Sequence, residues 1–597
     1  MKGVEVRPPT PSTTATGQQE QSTHSSAAAR RSARTLLRSM FQEDRFFLLL
    51  SVFIGVFSGL AVVCFRFAID WCRIYILGSG VGLSPTRLVL APALTGLFVA
   101  ILVKRFFPGA RGSGVNQTKA ALYIYNGYIP VRTAVGKFIT SSLAIGAGHS
   151  LGPEDPSLQI GASLASALGR YTRLSRERMR LIAPVGAAAG LAAAFNAPIS
   201  AVLFVIEEVI GRWSAGVLGS VVLSSVASAV VMRWFLGSEA LFRVPTVHME
   251  HPWELIAYAI LGIVGGLASV VFARGISTLR LRFRSLPKQT QIWQPAFAGA
   301  LIGFIALFGA PQVMGAGYEY IDEAMHGQFT WQFLAILAGL KIVATILSFV
   351  SGTPGGMFAP TLFIGAMLGA SVGGAEHSLL PFFGGSPGTY ALVGMGVLFA
   401  GFLRVPMTSV FMVLEVSGNY SIILPVIVAN TLAYVISRGL QPTPIFDLLT
   451  RQDGLELPSM EDLREEESLH VEDAMRPPDD LVLPHGATVA QALQQLTEKS
   501  LTAVLVPLQP YGWTSIDKHT LANLAEEGQG AVEVTSVLNS GPIPCLHPDH
   551  PLDKALPYFD RWDLVPVVSR AGLTQLEGVI SPRDVLDEYR SLPVESE

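Results

Sequence analysis

Residues 152–164 read GPEDPSLQIGASL and residues 356–368 read GMFAPTLFIGAML, so the pattern GxxxPxLxIGAxL occurs twice, 204 positions apart. A second pair follows in register. NAPISAVLFVIEE at 196–208 matches RVPMTSVFMVLEV at 404–416, 208 positions apart. A duplication that holds its spacing over this distance means two homologous halves. In each copy of the first pattern a glycine-rich, proline-bearing turn stands directly before an apolar helix. Glycine lets backbone approach a ligand, and a helix N-terminus presents unpaired N–H groups with positive dipole character, so both turns are suited to an anion. A third turn, GARGSGVN at 109–116, adds the hydroxyl of Ser113. Such turns would hold an anion without a full positive charge at that depth, where a lysine would bind too tightly for release. Taken singly, the glycines also suit plain helix packing in a membrane; the register of the duplication argues for more.

The surroundings are a membrane protein. Of 597 residues 50% are hydrophobic and only 15% charged, far from the roughly 25% charged residues of soluble domains. Apolar runs recur from Phe46 to Gly439, several near the ~20 residues that span a bilayer as a helix. Others are shorter and broken by Gly or Pro, which is tolerated at that depth only inside protein or beside a water-filled cavity. Residues 1–45 read as a disordered cytoplasmic tail, with Arg30, Arg31, Arg34, Arg38 and Arg45 before the first span; a signal peptide is not expected. The spans occupy 46–450, in repeats of about 46–240 and 253–440, and an acidic linker follows at 451–470. The remainder reads as two similar βαβ-like halves, 471–530 and 531–597. Cys64, Cys72 and Cys545 form neither a disulfide framework nor a metal-ligand spacing, so no metal is expected.

Four carboxylates near these turns need a reason. Glu154 reads as a tethered anion that occupies the site when ionised and leaves it when protonated, coupling anion movement to protons; the alternative is a loop carboxylate at an aqueous mouth. Asp155 is expected to cap its own helix, whose first turn also contains Pro156. Glu207 and Glu208 end an apolar run, a position that also marks a membrane boundary.

Together the motifs resemble those of the CLC chloride channels and proton-coupled chloride transporters, over about residues 46–450. GSGVN is similar to the family's GSGIP, GPEDP to G(K/R)EGP, GGMFAP to GxFxP, and NAPISAVLFVIEE to NAPxxGxxFxxEE. The resemblance implies an all-α polytopic membrane fold of two inverted-topology repeats of tilted and broken helices, followed by an α/β pair of CBS modules. It implies that Ser113 and the backbone amides of Met357 and Phe358 bind the central chloride. It makes Glu154 the external gate and Glu208 the internal proton carrier, with Glu207 beside it on the same path. A homodimer with one pore per subunit is implied, in the inner or plasma membrane with both termini cytoplasmic. Partners are then chloride, protons, lipid and a second copy, with no nucleic acid and no required cofactor.

Three departures stand out. Phe446 replaces the family's central tyrosine, which removes a hydroxyl donor; Pro153 replaces a basic residue; and Asp155 replaces a glycine. The last two are expected to make the outer entrance more negative. Asn116 in place of proline is a milder change. In the CBS pair, Ser581 and Asp584 of GVISPRDV match positions that contact adenine nucleotides, an aspartate suiting ribose hydroxyls, whereas Thr520 stands where the first module would carry the aspartate. A packed dimerisation module is the favoured reading there, a bound nucleotide the alternative.

The function expected is proton-coupled Cl−/H+ antiport, with a passive chloride channel of the same fold as the alternative. A membrane enzyme is not expected, since no HExxH, GxSxG or paired membrane aspartates occur. A nucleotide sensor with a mere anchor would need no duplicated turns.

Overall fold

The computed structural model describes residues 16–78, 84–211, 215–237, 241–242, 253–287, 289–379, 386–458, 469–508, 512–538, 541–572 and 575–591, with side chains from residue 43 onward. Residues 1–15 of the expected tail and the acidic stretch 461–468 lie outside these. The chain divides into two compact units, Met1–Met460 and Glu461–Glu597.

The first unit is helical throughout. Its first half runs α1 (Thr16–Cys72), α2 (Pro85–Arg105), α3 (Val115–Tyr123), α4 (Val131–Gly146), α5 (Glu154–Tyr171), α6 (Arg176–Phe195), α7 (Pro198–Phe204) and α8 (Ala215–Leu236). Its second half runs α9 (Glu254–Ser285), α10 (Gln294–Leu307), α11 (Tyr318–Met325), α12 (Trp331–Val350), α13 (Phe358–Leu379), α14 (Pro387–Leu403), α15 (Pro406–Ser417) and α16 (Ile423–Leu440), and α17 (Ile445–Gln452) closes the unit. The halves match helix for helix. Among the described residues nine helices are long and apolar enough to cross a bilayer. Residues 16–45 differ from expectation: they are the start of α1, not a disordered tail, in keeping with the helix propensity of their Ala, Arg and Gln residues.

The breaks are duplicated too. α6 ends at Asn196 (φ 55°) and α14 at Arg404 (φ 61°), both left-handed, and two residues later a proline opens α7 and α15. A left-handed C-cap followed by proline at the first helical position stops one helix and starts another.

Packing separates the two readings of the glycines. A Cβ on Gly161 would collide with the carbonyl of Gly186, and one on Gly365 with that of Gly394, so these motif glycines bring α5 onto α6 and α13 onto α14. The glycines that open the same motifs, Gly152 and Gly356, do something else. Their backbones exchange two hydrogen bonds of 2.8 Å, one in each direction, in a two-residue antiparallel bridge. That bridge joins the N-terminal end of α5 to that of α13.

The second unit has two antiparallel strand pairs, β1 (Ala503–Pro507) with β2 (Trp513–Asp517) and β3 (Val565–Val568) with β4 (Leu576–Ile580). Val482 pairs in parallel with Leu505, and Leu546 with Val567, so the halves repeat as expected. Helices α18 (Val471–Ala474), α19 (Val489–Glu498), α20 (Lys518–Leu524), α21 (Val534–Val537) and α22 (Pro582–Ser591) complete it. Two details depart from the sequence reading. The segment that opens each half packs in the other's core: Val471 and Ala474 lie with Leu552 and Val565, and Val534 lies with Val489 and Leu496. The element before β3 is a 3-10 helix over Leu552–Tyr558 containing Pro557, not an amphipathic α-helix, because proline removes the donor that an α-helical turn needs.

Candidate functional site

The bridge between Gly152 and Gly356 delivers two carboxylates to the first turn of α13. Glu154 is the first residue of α5, and its Oε2 accepts from the Ala359 amide at 3.2 Å. Asp155 follows, and its Oδ2 accepts from the Met357 amide at 3.0 Å. Both residues are fully buried. A helix N-terminus leaves its first amides without intrahelical partners, and here side chains of the other half fill two of them. Asp155 therefore does not cap its own helix, as expected from sequence, but α13. Gly152 is required for this geometry, since a Cβ there would strike the Glu154 carboxylate and lie 3.0 Å from the Ala359 amide.

The third turn closes against the same place. A Cβ on Gly114 would sit 3.0 Å from the Asp155 carbonyl. Ser113 is buried, and its Oγ accepts from the Val115 amide at 3.3 Å, which leaves its hydroxyl hydrogen to point elsewhere. Met357 and Phe358 are buried at the start of α13. The Phe358 ring has Phe204 at 4.8 Å, Phe399 at 5.4 Å, Phe195 at 6.1 Å and Phe446 at 6.4 Å between centroids. Phe446 is thus beside the Phe358 turn, but as one wall of an aromatic cluster. Its carbonyl accepts from Asn116 Nδ2 at 3.1 Å, so the residue that replaces the family's proline ties the Ser113 turn to α17.

Lysines lie deep after all. Lys137 is fully buried and donates to the carbonyls of Ala110, at 3.1 Å, and Gly112. Its counterpart Lys341 donates to Val313 at 3.0 Å and Gly315 at 2.8 Å. Each ammonium stands behind a turn and donates to two of its carbonyls, which helps a buried charge to be tolerated. The sequence argument against buried lysine overlooked this. The 204-residue spacing of Lys137 and Lys341 was the signal available.

Glu207 and Glu208 separate by role. Glu207 Oε1 accepts from the Met407 amide at 3.1 Å, and its Oε2 from the Thr408 amide at 2.8 Å and hydroxyl at 2.6 Å. It caps α15, a structural contact that the sequence reading, which set it on the proton path, did not foresee. Glu208, in the π-helical turn Val205–Ile210, has its Oε1 3.3 Å from Lys119 Nζ. Lys119 in turn reaches Asp447 Oδ1 at 2.6 Å. All three are buried. Sequence reading missed Lys119 and Asp447, which no local motif links to Glu208.

Next to Glu154 in the chain, Pro153 lines a cavity of about 470 Å³ together with Arg66, Asp70, Arg73, Tyr318 and Glu319, among others. Arg73 pairs with Glu319, and Arg66 acts electrostatically on Glu154. The positive charge absent at Pro153 is therefore present on α1, and Asp155 faces α13. The same wall carries Asp70 and Glu319, so two acids stand with the two arginines there, and only Asp155 departs from the expected placement, by facing α13.

In the second unit Ser581 and Asp584 do come together. Asp584 Oδ2 accepts from the Ser581 amide at 2.8 Å and hydroxyl at 2.6 Å, and Arg476 Nε lies 2.8 Å from its Oδ1. With three donors on the carboxylate, little acceptor capacity is left for a ribose, so these residues as arranged do not fit a nucleotide. In the first module the roles are swapped: Asp517 is the N-cap and accepts from the Thr520 amide at 2.7 Å and hydroxyl at 2.8 Å.

Paired halves that aim carboxylates at each other's helix N-termini define a class of duplicated membrane proteins with an anion-shaped centre. The family model described as voltage gated chloride channel matches residues 95–438. The chain belongs to that family. A CBS domain model matches residues 534–591. The chain is 31% identical over 419 residues to the putative chloride channel protein ClcB-like of Ralstonia nicotianae, covering 68% of this chain and 97% of the relative. It is 32% identical over 433 residues to the H(+)/Cl(-) exchange transporter ClcA of Salmonella arizonae, covering 69% and 90%. Among solved structures, a slow cyanobacterial Cl-/H+ antiporter is 27% identical with a TM-score of 0.62, over 68% of this chain and 97% of that one. A eukaryotic CLC transporter at 18% identity shares the fold over 90% of this chain and 97% of its own, with a TM-score of 0.59.

Proposed function

We propose that the chain is a proton-coupled Cl−/H+ antiporter of the inner or plasma membrane, working as a homodimer with both termini cytoplasmic. The observation that carries this reading is the Glu154 carboxylate seated on the Ala359 amide at the head of α13. A carboxylate there stands in for a transported anion. Chloride arriving from the inner side displaces it toward the cavity lined by Arg66 and Pro153 and leaves through that cavity, where the freed carboxylate takes a proton. Return of the protonated arm, loss of its proton inward and reseating of the carboxylate exchange the two ions. Ser113 and the Phe358 amide are the donors for the central chloride, and Glu208 receives the proton on the inner side. The relatives named as exchange transporters support the same assignment.

A passive channel is the second reading. It is favoured by the buried Lys119–Glu208 pair, which engages the inner carboxylate that an exchanger needs for proton traffic. Full-length protein in liposomes separates the two. A chloride gradient that drives protons uphill is the expected outcome; chloride flux without proton movement assigns the channel.

A further inference from the structure

Asp155 has no duty in the exchange cycle just described, yet it is among the most constrained polar residues of the site. It is fully buried, its Oδ2 accepts from the Met357 amide at 3.0 Å, and its Oδ1 has no hydrogen-bond partner among the described residues. The backbone is shaped to admit it: a Cβ on Gly356 would lie 2.8 Å from Asp155 Cγ. Two cations act on the pair of carboxylates, which also act on each other. Lys137 of α4 faces Asp155, Glu154 precedes it on α5, and Arg66 of α1 acts on Glu154. The carboxylate also lies where the N-termini of α5 and α13 meet, a location that favours negative charge.

One amide hydrogen serves one strong acceptor. The Met357 amide, a donor expected to complete the central chloride site, is already given to Asp155. We propose that Asp155 is a second tethered carboxylate that competes with the transported anion for the Met357 amide, beside the competition of Glu154 at Ala359. The two amides lie two residues apart on one helical turn, so an anion settling there must displace both arms. The arms differ in reach. Glutamate has one more methylene and one more torsion than aspartate, and Asp155 is anchored in the second position of α5. Glu154 can swing clear of the path, whereas Asp155, with only its Cα–Cβ and Cβ–Cγ torsions, has a much shorter reach. Asp155 therefore acts as a fixed competitor that sets anion affinity, and Glu154 acts as the moving gate.

This inference rests on chloride using the head of α13. Its test is chloride binding by isothermal titration calorimetry on the full-length chain in detergent, with chloride flux in liposomes alongside. The proteins compared are wild type, Asp155→Asn and Asp155→Gly, each also in a Glu154→Gln background. Asparagine keeps an acceptor oxygen and the side-chain volume but loses the charge; glycine removes the competitor. Chloride should bind a few-fold tighter to Asp155→Asn and about tenfold tighter to Asp155→Gly, the scale of one charged hydrogen bond, with the same gain when Glu154 is already neutral. If the glycine variant fails to fold, the near-isosteric asparagine variant carries the comparison. Unchanged or weaker chloride binding in the folded variants, with wild-type flux intact, overturns the proposal and leaves the transport reading standing. No chloride binding or flux in wild type or any variant overturns both.

Discussion

Glu207 and Glu415 cap each other's halves. Glu207 accepts from the Met407 and Thr408 amides at the head of α15, and Glu415 accepts from the Ile199 and Ser200 amides, at 2.9 and 2.7 Å, at the head of α7. A contact that is reciprocal in this way requires an approximate two-fold axis between the halves. Replacing Glu207 or Glu415 by alanine orphans one buried amide, that of Thr408 or Ser200, at a cost of about 1–3 kcal/mol. Because both caps hold the same α7–α15 contact, the double variant should be non-additive by about 0.5–3 kcal/mol. Thermal unfolding of the four proteins in detergent measures this. Proton transport per chloride should be unchanged in Glu207→Ala but lost in Glu208→Gln; equal loss in both would return Glu207 to the proton path.

Lys119 is the only charged group contacted by both Glu208 and Asp447 among the described ion pairs. Lys119→Met removes the shared cation and leaves two buried carboxylates facing each other. Breaking a buried pair in this way costs about 3–5 kcal/mol, so this variant should be the least stable of any single change at the inner side. Adding Asp447→Asn should recover part of the loss, because one uncompensated charge is then gone. A Lys119→Met protein with wild-type melting behaviour would show that the three groups are not energetically coupled.

The site was legible in sequence where it repeats and illegible where it does not. Glu154, Gly152 and Gly356 sit inside a pattern met twice, and the resemblance to a family ordered them correctly. The Lys119–Glu208–Asp447 cluster joins residues 89 and 328 positions apart, and neither periodicity nor motif relates them. Asp155 was misassigned for a different reason. An acid in the first turn of a helix normally serves that helix, and only the Gly152–Gly356 bridge, a long-range contact, turns it toward α13. Lysine was set aside because it would hold an anion too tightly, which left unforeseen the lysines that stand behind the turns at 110–112 and 313–315 and donate to their carbonyls.

Glu154→Gln keeps the shape of the side chain and removes its charge and its proton exchange. Chloride flux should persist, since a neutral amide competes weakly for the Ala359 N–H, while chloride-driven proton uptake should vanish. Parallel chloride-electrode and pH-electrode traces on one liposome preparation measure both. A variant that still couples the two ions would remove Glu154 from the gate.

In the second unit Asp517 offers a pH-dependent contact outside the membrane. Partial burial pushes its carboxyl up, but hydrogen bonds from the amide and hydroxyl of Thr520 outweigh this and hold it below the usual value. A depressed folded pKa gives stability that is complete above the unfolded aspartate value of about 3.9 and is lost as pH falls below it. Protection from hydrogen exchange over Lys518–Leu524 in the full chain, taken relative to the intrinsic rate at each pH, should therefore fall in that acid window, and Asp517→Ala should show the low protection at neutral pH. Loss of an N-cap of this kind costs about 0.5–2 kcal/mol. Equal protection in the two proteins at neutral pH would mean that the cap contributes nothing.

Phe446 brings an aromatic ring, without a hydroxyl, to the Phe358 turn. Its ring is fully buried and its backbone carbonyl already serves Asn116 and Thr450, so a substitution that changes only the ring edge leaves α17 in place. Phe446→Tyr adds one donor where the family carries one. If the ring edge faces the central anion, the added donor should tighten chloride binding by about 0.5–3 kcal/mol, read by calorimetry on purified protein. Ser113→Ala removes a donor from the opposite turn and should weaken binding by a similar amount. Because the two groups approach the ion from separate elements, α17 and the turn before α3, Phe446→Tyr should rescue much of the Ser113→Ala loss. Tighter binding without rescue would place the new hydroxyl on a second ion position. No change in binding in either background would mean that the ring edge points into the aromatic cluster of Phe195, Phe204 and Phe399 and away from the anion.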